Sequence, residues 1–98
     1  MRKVTREIVS AFMNDYNATV SNSSVTTKDG ITKLFLFGNC IARKEIATGK
    51  IEVTLAGWNT NTTRERLNGI PNVRVTQSNF TPYLNGIEMN SDEWYAVN

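Results

Sequence analysis

Three turn sequences decide most of what this chain can fold into. Lys28-Asp29-Gly30, Ala47-Thr48-Gly49-Lys50 and Asn85-Gly86 each lie between runs rich in apolar and β-branched residues. Asp-Gly and Asn-Gly pairs supply the positive φ angles that tight hairpins need, and a short Gly-bearing loop joins strands in the same way. Strands joined by hairpins are antiparallel, so the pattern predicts a mainly antiparallel sheet rather than alternating βαβ units.

The flanking segments fill in the elements. Val4, Ile8, Phe12 and Tyr16 recur every four residues with Val9 and Met13 beside them, one apolar stripe on an amphipathic helix. The spacing predicts a helix over about residues 4 to 15, with Thr5 as N-cap and Asn14-Asp15-Tyr16-Asn17 as its end. Ala18 to Thr27, full of Ser and Thr around Val20 and Val25, reads as a solvent-facing strand. Ile31 to Phe37 is nearly all apolar or aromatic and reads as a central strand, with a bend or bulge at Gly38. Cys40 to Ile46 and Ile51 to Leu55 form a second hairpin whose Ile51, Val53 and Leu55 face the core. With Gly49 at the left-handed position of a three-residue loop, Lys44 comes opposite Glu52. Thr62 with Glu65 three residues on is a capping-box signature for a two-turn helix, stopped by Gly69 and Pro71 and contacting the core through Leu67 and Ile70.

The remainder holds a strand around Val73 to Gln77, a stretch through Phe80 and Tyr83 interrupted by Pro82, and a last strand near Glu93 to Val97. The whole reads as a single α+β domain over residues 1–98: a mainly antiparallel sheet with an N-terminal helix and a short second helix. A chain of 98 residues has room for one such core.

Composition excludes whole classes of chemistry. There is no histidine, the commonest acid-base group near neutral pH and the commonest metal ligand. With one cysteine besides, neither a zinc nor an iron-sulfur site can be assembled from this chain, and Ser-His-Asp and Cys-His arrangements are excluded. Cys40, placed within a sheet, reads as a buried apolar group. Glu88, Asp92 and Glu93 are the only clustered carboxylates and fall around a surface turn. The expectation is a protein that is not an enzyme and takes no cofactor. The unpaired cysteine and the charged N-terminal residues favour a reducing, cytoplasmic setting, and no apolar run is long enough to span a membrane. The four Asn-x-Ser/Thr triplets, at Asn17, Asn22, Asn61 and Asn79, are read as chance products of a chain rich in Asn, Ser and Thr.

Binding is what remains. The net charge is +2, but residues 1–74 hold all eleven basic groups against six acidic ones, whereas residues 75–98 carry only Glu88, Asp92 and Glu93. The segment Trp58-Asn59-Thr60-Asn61-Thr62-Thr63-Arg64-Glu65-Arg66 places hydroxyls, two arginines and a Trp at a helix start, where an anion such as phosphate is favoured. The plainer reading has Thr62 and Glu65 capping each other, Asn59 and Asn61 building the turn, and Trp58 packed under the sheet. A nucleic-acid surface would combine Arg2, Lys3, Arg6, Arg43, Lys44, Arg64, Arg66 and Arg74 with exposed Trp58, Trp94, Tyr83 and Phe80 as stacking platforms. The commoner alternative is an aromatic core beneath scattered solubilising charges.

Three stretches carry a family resemblance: Leu36-Phe37-Gly38-Asn39-Cys40-Ile41-Ala42, then Ala56-Gly57-Trp58 through Arg66-Leu67-Asn68, then the terminal Trp94. The pattern Gly-Trp-x-Thr-x-Thr-Thr-Arg-x-Arg-Leu-Asn, from Gly57 to Asn68, is its most specific part. Over roughly residues 4 to 97 the chain resembles a family of small uncharacterised tailed-bacteriophage proteins. That resemblance implies a phage accessory protein in the infected host cell and carries over no catalytic residue. By analogy it implies a protein-binding module, such as an inhibitor of a host enzyme or defence complex. The expected contact residues are Trp58, Thr60, Thr62, Arg64, Arg66, Arg43 and Lys44. The alternatives are a nucleic-acid or nucleotide binder using the basic start of the second helix, and a homo-oligomer joined through an uncovered sheet face.

Overall fold

In the computed structural model, which describes residues 1–98, the apolar stripe forms helix α1 (Lys3–Met13), burying Ile8, Val9, Ala11 and Phe12. The helix lies across one face of a six-stranded antiparallel sheet. Its strands are β1 (Ala18–Val20), β2 (Ser23–Lys28), β3 (Ile31–Leu36), β4 (Asn39–Glu45), β5 (Ile51–Val53) and, at the far edge, β9 (Tyr95–Ala96). Between β5 and β9 the chain forms helix α2 (Asn61–Leu67) and a second, three-stranded sheet of β6 (Val75–Ser78), β7 (Thr81–Leu84) and β8 (Ile87–Glu88). One core of 18 buried apolar residues joins both sheets and both helices, drawing Val75, Leu84 and Met89 from the smaller sheet region. No helix is long and apolar enough to cross a membrane.

The α+β layout, the N-terminal helix, the short second helix and the hairpins at Asp29-Gly30, Thr48-Gly49 and Asn85-Gly86 are as the sequence predicts, whereas Gly38, expected at a bulge or bend, lies in a further hairpin turn. Several details differ, each for a physical reason. Thr5 is not the N-cap of α1. Arg2 occupies that position without a side-chain bond, and Thr5 is fully buried one turn in, facing α2. The Ser/Thr-rich segment is two strands joined by a turn with Ser21 at φ 55°, and Ser23 and Val25 of β2 point inward under α1. Tyr16 lies beyond the end of α1, in a turn where Asp15 has φ 61°, and is exposed.

The β4–β5 connection holds four residues, Ile46–Gly49, because the Glu45 N–H donates to the Lys50 carbonyl at 2.9 Å. One residue more than expected reverses which faces meet, so Arg43, not Lys44, stands opposite Glu52, and Lys44 turns inward opposite Ile51. The register also shifts where Leu34 pairs with Ala42 and Phe35 with Cys40, leaving Ile41 as a bulged extra residue. The bulge turns two consecutive residues, Ile41 and Ala42, into the core.

Pro82 lies inside the central strand of the small sheet, not at an interruption between strands. Its carbonyl accepts from the Met89 N–H at 3.1 Å, just past the end of β8, so its missing N–H falls where the ladder is already ending. Helix α2 approaches α1 closely at Gly69, where an added Cβ would come within 2.6 Å of Thr5 Cγ2 and 2.8 Å of Val9 Cγ2.

Candidate binding surface at the aromatic end

Four hairpins close with two-residue turns in which both central residues have positive φ, the mark of type I′ geometry: Asp29-Gly30, Phe37-Gly38, Asn79-Phe80 and Asn85-Gly86. Asp-Gly and Asn-Gly are what such turns favour. Phenylalanine is not, because a bulky side chain at positive φ crowds its own backbone at a cost of roughly 1–2 kcal/mol. Phe37 nevertheless adopts φ 50° and Phe80 φ 66°. The Phe80 ring, 89% exposed, does not recover that cost by packing, and Phe37 too remains 70% exposed.

The third aromatic of this end is Trp58, 59% exposed, carried by the turn after Leu55 in which Ala56 and Gly57 both have positive φ. Trp58 therefore does not pack under the sheet as the plainer reading had it. Asn59, next along the chain, donates from Nδ2 to Gln77 Oε1 at 3.1 Å and to the Phe80 carbonyl at 3.3 Å, which ties the Trp58 turn to the Phe80 hairpin. Phe37 and Trp58 border one groove of about 500 Å³ floored by the buried Leu36, Ile41 and Leu55. At about 150–250 Å² per aromatic side chain, Phe37 and Trp58 together expose roughly 250 Å² of apolar surface beside the groove, and the Phe80 hairpin tied to the Trp58 turn carries a third exposed ring.

The sequence-predicted contact residues divide into two groups. Trp58, Thr60 and Thr62 line the groove. Thr60 is also the N-cap of α2: its hydroxyl accepts from the Thr63 N–H at 3.2 Å and lies 2.9 Å from the Thr63 hydroxyl. The expected Thr62–Glu65 capping box does not form, because Glu65 is drawn instead to Thr5 and Arg66. Thr62 is left facing the groove with no intramolecular partner for its hydroxyl.

Arg64, Arg66 and Lys44 lie elsewhere, at 8%, 3% and 8% exposure. The Arg64 guanidinium donates to Asn59, Asn61 and Gln77, bracing the segment between Trp58 and the Phe80 hairpin. Arg66 reaches across the core boundary to Ser23 (3.0 Å), Thr5 (2.9 Å), Glu65 (2.7 Å) and Asn22 (3.2 Å), joining α2 to α1 and β2. Lys44 binds Asp15 at 2.9 Å and the Met13 carbonyl at 2.8 Å, closing the end of α1. All three are buried cations with internal partners, which is how buried charge is tolerated. Arg43, on the sheet face away from α1, pairs with Glu52 at 3.0 Å and covers the Trp94 ring at 3.9 Å, so Trp94 is held within the fold.

These partners set the perturbed ionisations. Hydrogen bonds from Lys44 and then Thr32 hold the Asp15 carboxyl below its ordinary value. Burial pushes Glu65 up, but hydrogen bonds from Thr5 and the Arg2 backbone together with the Arg66 charge outweigh it, and the net shift is downward. Burial raises the Cys40 thiol against the pull of Lys33 and Arg43, the direction of an unreactive thiol.

Sequence reasoning missed Phe37, which reads as the end of the central strand. The signal was its position directly before Gly38 between two strands, the place of a hairpin turn.

The fold and its surface define a small α+β domain with an aromatic-tipped end and with Lys44, Arg64 and Arg66 held by internal partners. Residues 1–98 match the family described as Kyanoviridae Gp96 protein, and the chain belongs to that family of phage proteins. No curated protein and no solved structure matches it.

Proposed function

We propose that this phage protein acts in the infected host cell as a non-catalytic binding module, with the Phe37, Trp58 and Phe80 end as its contact surface for another protein. The observation that carries this reading is two phenylalanines held exposed at positive φ, beside an exposed Trp. Strain kept where packing gains nothing is characteristic of functional positions. Aromatic anchors surrounded by neutral polar groups are also the composition of an interface centre and its rim. An inhibitor of a host enzyme or defence complex is the role we assign to such a module.

Protein is favoured over nucleic acid at this end because Lys44, Arg64 and Arg66 are occupied internally and the groove is lined by no charged residue, the exposed and unpaired Arg2, Arg6 and Arg74 lying outside its lining. Phosphate recognition needs free cations, and its affinity falls steeply with salt. The test is capture with the tagged protein from phage-infected cells, with and without nuclease. A stoichiometric protein partner that survives nuclease and moderate salt supports the reading; recovery of nucleic acid alone replaces it with the nucleic-acid one.

A further inference from the structure

Resting on that reading, we infer that the partner protein sets the carboxylate of an Asp or Glu side chain against Arg64, within the ring of amides formed by Asn59, Asn61 and Gln77. The three buried cations differ in what neutralises them. Lys44 has Asp15 at 2.9 Å and Arg66 has Glu65 at 2.7 Å, whereas Arg64, only 8% exposed, makes no ion pair. Its Nη1 group donates to Asn59 Oδ1 and Gln77 Oε1, and its Nη2 group donates to Asn61 Oδ1, all neutral acceptors. Asp92 and Glu93, which follow the Ser91 carbonyl that accepts from the Gly57 N–H, do not pair with it either. A buried cation held by amides alone keeps its charge uncancelled, at a cost that a counter-charge would relieve.

The hydrogen-bonding capacity left around Arg64 is all of one kind. A guanidinium carries five N–H donors, so its Nε–H and one Nη2–H remain over. No buried side-chain nitrogen of the protein lacks a partner, so the unbonded Nε lies where it reaches the surface. Because Arg64 claims the carbonyl oxygens of Asn61 and Gln77, both exposed residues, their NH2 groups are left without an internal acceptor. Donors around an uncancelled positive charge match a carboxylate, which only accepts and takes paired N–H bonds from arginine. The attraction is that of the guanidinium itself and does not draw on the seven-residue helix α2.

The same features separate this occupant from others. An apolar or amide group would leave the charge uncancelled, and a zwitterionic lipid surface brings no net counter-charge. A second copy docking through the same end brings another uncancelled Arg64. A nucleic-acid strand presents a phosphate at every nucleotide and needs a row of cations. Arg64 is the one cation of this cluster, and Arg74 stands at the opposite end of the β6–β7 hairpin, beside Asn85.

The experiment is a nuclear magnetic resonance titration of the full chain at low salt with N-acetyl-aspartate methylamide, run beside the asparagine methylamide and inorganic phosphate. The expected result is a saturable shift of the Arg64 Nε–H and of the Asn61 and Gln77 side-chain amides with the aspartate amide, and at least about tenfold weaker binding of its neutral isostere. Asn61→Asp places a carboxylate against Arg64 without a change of shape. It should raise the urea midpoint, abolish the aspartate-amide shift and reduce capture of the partner from infected cells several-fold. A lowered midpoint, or equal binding of the aspartate and asparagine amides, overturns the inference. Co-sedimentation with anionic phosphatidylglycerol vesicles, or a concentration-dependent dimer, that is lost in Asn61→Asp overturns it in favour of a lipid surface or a second copy. If a captured protein is lost in Trp58→Ala but fully retained by Asn61→Asp, this inference fails and the protein-binding reading stands. If phosphate shifts Arg64 at least as strongly and nuclease removes everything captured, the site is one for nucleic acid and the inference falls together with that reading.

Discussion

Replacing Phe80 by glycine should make the protein more stable and its binding weaker. Phe80 sits at φ 66° in the second central position of a type I′ turn that already has Asn79 in the first, so Phe80→Gly creates the Asn-Gly pair such turns prefer. Relief of the left-handed conformation contributes roughly 1–2 kcal/mol. Two terms oppose it. The ring is 89% exposed, so of its ~200 Å² only about 20 Å² of buried contact is lost, or about 0.5 kcal/mol. The greater freedom of glycine in the unfolded chain costs something similar. The net gain is about 0–1 kcal/mol, centred near 0.5 kcal/mol, and for a domain of this size each kcal/mol shifts Tm by about 4–8 °C. Thermal and urea unfolding followed by circular dichroism read the change directly. A lowered stability would refute the claim that Phe80 is held under strain, and with it the argument that the ring is kept there for contact.

The other predictions concern the groups beneath that surface. Arg66→Met should lower stability by roughly 3 kcal/mol, seen as a fall in the urea midpoint, because Glu65, Thr5 and Ser23 lose a shared buried partner. Thr60→Ala should cost about 1 kcal/mol through loss of the α2 cap, whereas Thr62→Ala should stay within about 0.5 kcal/mol, a contrast the same unfolding assay resolves. Stability should fall in acid. Asp15 and Glu65 are held below their ordinary values of 3.8 and 4.5, so the unfolded chain takes up their protons first. Their contribution is complete above the unfolded values and is lost as the pH drops through the folded ones. Urea midpoints measured between about pH 3 and 7 should show this, with a shallower acid limb in Asp15→Asn.

Much of the fold was legible because its signals are local. The four-residue spacing of Val4, Ile8 and Phe12 is a helix period, and Asp29-Gly30 and Asn85-Gly86 carry their own backbone preference. What failed depended on partners distant in sequence or on parity. The Lys44 register turned on one residue in the Ile46–Gly49 loop, and that residue exchanged a surface lysine for a buried one. The α2 cap was misplaced by two positions because Thr60, Thr62 and Thr63 are all suitable hydroxyls, and the choice follows from Glu65 being claimed by Thr5, 60 residues away.

The arginines of the candidate site read as surface charge for the same reason. The partners that bury Arg66, Thr5 and Ser23, stand 61 and 43 residues upstream, and an amide or hydroxyl leaves no charge pattern in the sequence. Trp58 was found from its place in the segment before α2. Phe37 was hidden by its continuity with an apolar strand; Gly38 after it marked a bend, and the Leu36–Asn39 register makes that bend a two-residue turn with Phe37 in it.

The most direct test of the aromatic end is a comparison of capture from nuclease-treated, phage-infected cells by the wild-type protein and by the Phe80→Gly and Trp58→Ala variants, each first shown to be folded by circular dichroism. The account predicts a partner protein retained by the wild type and lost or strongly reduced in both variants, even though Phe80→Gly is the more stable fold. Undiminished retention of that partner by both variants would contradict it and place the contact surface elsewhere on the molecule.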